Sequence, residues 1–138
     1  MVIAAGVLKP DPLRKVADEY KKRLDRWVRC DEIEVKSTTA LQRRVPKDAL
    51  TVALEVDGEL LSSAGFARKL ELWGRQGKGV VAFLVGGPDG IPPSVSSTAA
   101  ARLSLSSMTL PHRLARVVLF EQLYRAMTIL RGEPYSKK

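Results

Sequence analysis

Apolar positions recur along this chain with two different periods, and the alternation between them outlines the fold. Val2 to Leu8 is a continuous apolar run of strand length, closed by Lys9-Pro10-Asp11-Pro12, where Asp11 suits a helix cap and Pro12 the first helical turn. Beyond it Leu13, Val16, Ala17, Tyr20, Leu24, Trp27 and Val28 return at helical spacing, with Lys15, Lys22, Arg23 and Arg26 on the opposite face. Those cations suit a solvated face, and equally one laid along a phosphate backbone.

Ile33 and Val35 alternate with acidic residues in "DEIEVK", as in a strand exposed on one side. "STTALQRRVPKD" has no periodicity; its Arg43, Arg44 and Lys47 make a loop that could touch RNA or simply keep the protein in solution. "ALTVALEV" reads as a buried strand followed by a turn at Asp57-Gly58, then a helix from about Ser63 with Phe66, Leu70 and Trp73 on one side. "GVVAFLV" is more continuously apolar, as expected at the centre of a sheet covered on both faces. After it come a short helix in "PPSVSSTAAARL", a short strand or loop in "LSLSSMTL", and a long helix opened by Pro111 and ended by Gly132. Strand and helix alternate, so the fold class is α/β, a mostly parallel sheet sandwiched by helices, in one domain over residues 1–138. The last helix is apolar nearly all round. One sheet does not cover so wide a surface, which predicts a partner subunit.

The chain carries 23 Lys and Arg against 15 Asp and Glu, a formal charge of +8 that favours a polyanionic partner without naming it. The single Cys30 excludes an internal disulfide and a multi-cysteine metal site, and suits a reducing cytoplasm. The N-terminal run lacks a basic segment before it and a cleavage pattern after it, so it is expected to be a strand and not a signal peptide. No stretch approaches the ~20 apolar residues that span a bilayer.

Candidate chemistry gathers near the end. "GGPDG" follows the central strand, at the sheet end where open α/β folds bind ligands, yet it has neither the dinucleotide spacing nor a Walker loop, and a plain glycine turn explains it as well. His112 is the only histidine, so no multi-histidine metal site exists and metal catalysis is not expected. No serine sits in a nucleophile elbow. Glu121 and Arg125 lie one helical turn apart and suit an ion pair or a catalytic role alike. Arg113, Arg116 and Arg125 on an apolar helix suggest positive charge aimed at something specific.

Three strings, "LVGGPDG", "LSLSSMTLPH" and "RVVLFEQLYRAMTILRGEPY", in this order and spacing, resemble the RlmH type of SPOUT RNA methyltransferase; "ALTVALEVDG" and the N-terminal strand and helix extend the likeness more weakly. The resemblance implies a C-terminal deep trefoil knot, a feature nearly absent from ordinary topologies. It implies bent S-adenosylmethionine held mainly by backbone at Leu54, Gly86, Gly87, Leu105, Ser106, Ser107, Met108, Thr109 and Leu110, with Gly86 and Gly87 bare because the cofactor packs on them. It further implies a cytoplasmic homodimer that methylates the position-3 nitrogen of a pseudouridine in large-subunit ribosomal RNA on the assembled ribosome. On this reading His112 takes or relays the proton of that nitrogen, Arg125 stabilises negative charge on the ring, and Tyr135 stacks on or hydrogen-bonds the nucleotide. The family's tail string "HPYHR" reads "EPYSK" here: Glu133, Ser136 and Lys137 replace two histidines and an arginine. The chain is also shorter than its relatives between Val35 and Leu50. Competing expectations are a non-catalytic ribosome-associated RNA-binding protein and a methyltransferase of the same fold with another RNA target.

Overall fold

Asp11 and Pro12 open the first helix as their positions predict. In the computed structural model, which describes residues 1–137, β1 (Val2–Ala5) leads to α1 (Pro12–Leu24), whose first turn is capped by the Asp11 carboxylate accepting the Arg14 N–H at 3.2 Å. There follow β2 (Glu32–Val35), two short 3-10 turns (Thr38–Ala40 and Gln42–Arg44), β3 (Leu50–Leu60), α2 (Ser63–Gln76) and β4 (Val81–Val85). A single-turn α3 (Pro93–Ser96), β5 (Ala101–Ser104), α4 (His112–Leu130) and a 3-10 turn over Pro134–Lys137 complete the chain. The tail positions Ser136 and Lys137, whose side chains depart from the family's string, lie outside the described side chains.

All five strands are parallel, in the order β2-β1-β4-β3-β5, so the continuously apolar β4 is the central strand, as its composition predicts. Strand order also decides the layers. Right-handed crossovers from β1 to β2 and from β3 to β4 move the same way across the sheet, which puts α1 and α2 on one face. Crossovers from β2 to β3 and from β4 to β5 move the other way, to the opposite face, and these connections carry only the 3-10 turns and α3. The sandwich is therefore lopsided. Val2, Ala4, Val52, Phe83 and Leu103 pack under the three long helices, while Ile3, Ala5, Ala82 and Leu84 pack under Leu41 and Val95.

Three expectations need correction. Apolar α4 packs between α1 and α2 over the sheet, leaving only Leu114 and Leu130 exposed among its large apolar residues, so the chain covers that helix itself. Its apolar girth is no argument for a partner subunit. Second, β3 continues through Asp57-Gly58 instead of turning there: after pairing Leu54 with Leu103, it shifts register and pairs Glu59 with Leu103 again. A Cβ on Gly58 would fall 2.8 Å from the Arg102 and Leu103 backbone, which is why glycine stands where the two strands close up again.

Third, the acidic face of β2 is solvated only in part: Glu34 is exposed, whereas Glu32 is covered. The Glu32 side chain is 4% exposed and that of Arg116, entering from α4, 2%. Arg116 donates to Glu32 at 3.1 Å, to Glu34, and to the Gly6 carbonyl at 3.0 Å, while Arg14 and Lys21 of α1 also hold Glu32. Alternating acids can mark a strand face that faces water or one that faces arginines, and here α1 and α4 supply the arginines.

Candidate cofactor cleft and its surroundings

Parallel strands bring the ends of β3, β4 and β5 to one rim. A cleft of about 120 Å³ opens there, lined by Leu54, Glu55 and Val56 of β3, Val85 to Gly87 and Gly90 after β4, and Leu103 to Ser106, Met108 and Leu110 around the end of β5. His112 and Ala115 of α4 close it. Of the residues expected to hold the cofactor, Leu54, Gly86, Gly87, Leu105, Ser106, Met108 and Leu110 line the cleft; Ser107 and Thr109 are exposed and outside its lining. Glu55, Val85, Leu103 and Ser104 are lining residues that the sequence reading did not single out.

The lining presents little side-chain polarity. Ser104 Oγ donates to the Ser106 carbonyl at 2.9 Å and Ser106 Oγ accepts the Met108 N–H at 2.9 Å, so the serines brace their own loop. The Glu55 carboxylate accepts from Ser96 Oγ at 2.7 Å and from Arg102, which also bonds Asp57. An apolar slot with backbone groups at its edge and one neutralised carboxylate in its wall fits a flat heterocycle read by main chain, as an adenosyl group is.

A second cavity, of about 260 Å³, lies at the other end of the sheet among Leu24, Cys30, Leu70, Phe83, Leu123 and Met127. Burial lowers the Met1 amine and raises the Cys30 thiol, and the amine is spent on the Val81 carbonyl at 2.8 Å.

The glycines at 86 and 87 differ in their reasons. A Cβ on Gly86 would fall 2.6 Å from the Gly90 carbonyl carbon, because the loop folds back into a Gly87–Gly90 bridge. The loop's own closure, independent of any cofactor, forbids a side chain at 86. At Gly87 a Cβ would meet nothing nearer than Ala5 Cβ at 3.9 Å. Gly86→Ala is therefore expected to lower stability by about 1–3 kcal/mol through overpacking, read from urea denaturation. Gly87→Ala should leave the urea midpoint in place and weaken only titration with S-adenosylmethionine; unchanged affinity would show that nothing packs on that residue.

The three residues expected to do chemistry are not brought together. His112 sits at the first turn of α4 on the cleft. Arg125 is thirteen positions further along the same helix, about 20 Å at the helical rise per residue. There it makes the intrahelical pair with Glu121 at 2.8 Å and covers the Tyr135 ring at 4.8 Å. The Tyr135 hydroxyl donates to Glu121 at 2.7 Å and packs edge-on to Tyr124. Burial first, then the Tyr20 hydroxyl and the Glu121 carboxylate, push the Tyr135 phenol well above its ordinary value, so it remains a donor. Arg113 and Arg116 are likewise spent inside the chain, on Asp11 and on the β2 glutamates.

An open parallel α/β sheet with a glycine-edged, largely apolar cleft at its strand ends has the layout in which this class of fold places its ligand sites. The comparisons give that class its family. A family model described as "Predicted SPOUT methyltransferase" matches residues 1–136, and the chain belongs to this family. It is 54% identical over 141 residues to the ribosomal RNA large subunit methyltransferase H of Sorangium cellulosum, covering 99% of this chain and 97% of that protein. Proteins with the same name from Anaeromyxobacter dehalogenans (42%) and Shouchella clausii (36%) align over 99% of this chain and 97% and 98% of theirs.

Proposed function

We propose that this chain is an S-adenosylmethionine-dependent methyltransferase of large-subunit ribosomal RNA. It acts on the position-3 nitrogen of a pseudouridine within the assembled ribosome, as a homodimer in the cytoplasm. The observation that carries the reading is the cleft: its lining coincides with most of the positions the family resemblance assigns to the cofactor, and its chemistry fits an adenosyl group. Among the described residues no helix is long and apolar enough to cross a membrane. The threaded C-terminus belongs to the same reading, with the loop after β5 and α4 as the segments that take part.

Leu54, Gly86, Leu105, Met108 and Leu110 would hold the cofactor, which when bound supplies an electrophilic methyl carbon on a sulfonium sulfur. The apolar wall excludes water from the methyl carbon, and Arg102 with Ser96 fixes Glu55 and so the shape of that wall. The acceptor nitrogen attacks only after losing its proton, and His112, which lines the cleft, would take it. Arg125 and Tyr135 cannot reach the same atom from the same chain, so in this reading they come to the site from the second copy of the dimer.

The test is to incubate the protein with labelled methyl donor and ribosomes lacking the modification, then map the product. Label at a pseudouridine of large-subunit RNA is expected. Label in free transfer RNA and not in ribosomal RNA would reject the substrate.

A further inference from the structure

Exposed cations that make no ion pair among the described residues occur on the helix-bearing face, as Lys15 and Lys22 of α1 and Arg68 of α2, but they crowd closest together on one connection. On the helix-bearing face Arg14, Lys21, Arg113, Arg116 and Arg125 are tied to carboxylates within the chain. The connection from β2 to β3 is different: Lys36, Arg43, Arg44 and Lys47 are all exposed, and none makes an ion pair among the described residues. Asp48, the single acid on this connection, is turned toward Lys78 at 3.5 Å.

This segment is built to hold its shape. Leu41 is fully buried against Ile3, Ala5, Leu84 and Val95, Ala40 and Val45 pack beside it, and the two 3-10 turns close their own backbone bonds, Leu41 N–H to Thr38 O and Arg44 N–H to Leu41 O. The exposed positions between the cations are Ser37, Thr39 and Gln42, which donate and accept hydrogen bonds, and Pro46, with no large apolar group among them. Cations mixed with hydroxyl and amide groups fit phosphates and sugars, whereas a membrane surface asks for apolar side chains alongside the charge.

Its place in the fold links it to the cleft. The strands are parallel, so Lys36 leaves β2 at the same end of the sheet where Gly86 leaves β4. The order β2-β1-β4 puts the two exits two strand spacings apart, about 10 Å. From that rim the connection runs down the face opposite the long helices.

We infer that the β2–β3 connection, through Lys36, Arg43, Arg44 and Lys47, is a docking surface for the phosphate backbone of the RNA whose base enters the cleft. The inference rests on the ribosomal RNA reading above. It assigns the segment a role in grip and none in the methyl-transfer step.

The experiment compares the wild type, the triple variant Arg43→Ala/Arg44→Ala/Lys47→Ala, and Arg68→Ala, an exposed cation of α2 that makes no ion pair among the described residues. The substrate is ribosomes lacking the modification, and KM and kcat are measured across a salt series. The triple variant is expected to raise KM about tenfold near physiological salt and to flatten the dependence of log KM on log salt by about 0.7–0.9 per lost phosphate contact. Its kcat, its titration with S-adenosylmethionine and its melting temperature should stay at wild-type values. A Lys pair at positions 43 and 44, Arg43→Lys/Arg44→Lys, should keep most of the affinity. Unchanged KM and salt slope in the triple variant, or an equal loss in Arg68→Ala, would overturn the docking surface while leaving the RNA reading intact. A wild type that methylates no ribosomal RNA would overturn both.

Discussion

Replacing Arg116 with leucine costs about 3–5 kcal/mol of stability at neutral pH, enough to shift the urea midpoint of a domain this size by more than 1 M at ordinary urea m-values. The magnitude comes from what the substitution leaves behind. The guanidinium is buried and bridges Glu32, Glu34 and the Gly6 carbonyl, joining α4 to the ends of β1 and β2. Without it Glu34 retains the Leu8 N–H at 2.7 Å and a long approach to Arg14 at 3.9 Å, and the Gly6 carbonyl loses the side-chain donor seen here. Glu32 is better protected, since Arg14 and Lys21 remain, so the loss belongs at the lower end of the range.

Acid titration separates charge from packing at the neighbouring Arg14, which holds the same Glu32. Burial alone would raise the Glu32 carboxyl, but hydrogen bonds and charge from Arg14 and Lys21 outweigh it and hold the carboxyl below its usual range. A carboxylate whose folded pKa is depressed contributes stability that is complete above the unfolded value, about 4.3, and is lost as pH falls through the folded value. The gap between wild type and Arg14→Leu, which removes one of the two cations that lower this carboxyl, is therefore widest near pH 7 and narrows below about pH 4, where the glutamate no longer needs a cation. A gap of equal size at pH 7 and pH 3 would mean that the arginine acts only by filling space.

That network also shows what a single sequence can and cannot disclose. Local signals were readable wherever the cause is local: Asp11 and Pro12 cap the helix that follows them, and the unbroken apolar run of β4 marks the strand flanked on both sides. The partner of Glu34 lies 82 residues away on α4, and alternation along β2 tells only that its two faces differ, not what covers each. The cleft has the same division. Leu54, Gly86 and the loop from Leu105 to Leu110 were legible through the resemblance, whereas Glu55 entered only once α3 and β5 placed Ser96 and Arg102 against it. Gly86 has a reason to be bare that the string did not disclose, its close approach to Gly90, because a glycine in a string shows that space is short without showing what occupies it.

Mixing two impaired variants is expected to restore about a quarter of wild-type activity, the share of intact sites in a randomly exchanged symmetric dimer. The variants are His112→Ala and Arg125→Ala, each expected to fold, to bind S-adenosylmethionine and to methylate about 10²–10⁴-fold more slowly if each removes a group acting on the transferred proton or the developing ring charge. Their separation makes the experiment decisive. The first turn of α4 and its thirteenth-following residue cannot meet at one atom, since the helix between them is rigid and about 20 Å long. Both can serve one nucleotide only if His112 comes from one chain and Arg125, with Tyr135 stacked beneath it, from the other. In a mixed dimer one site then loses both groups and the other regains both. If instead Arg125 does no more than hold Glu121 and Tyr135 in place within its own chain, the variants fail to complement, and Arg125→Lys, which keeps a charge for Glu121, restores activity by itself.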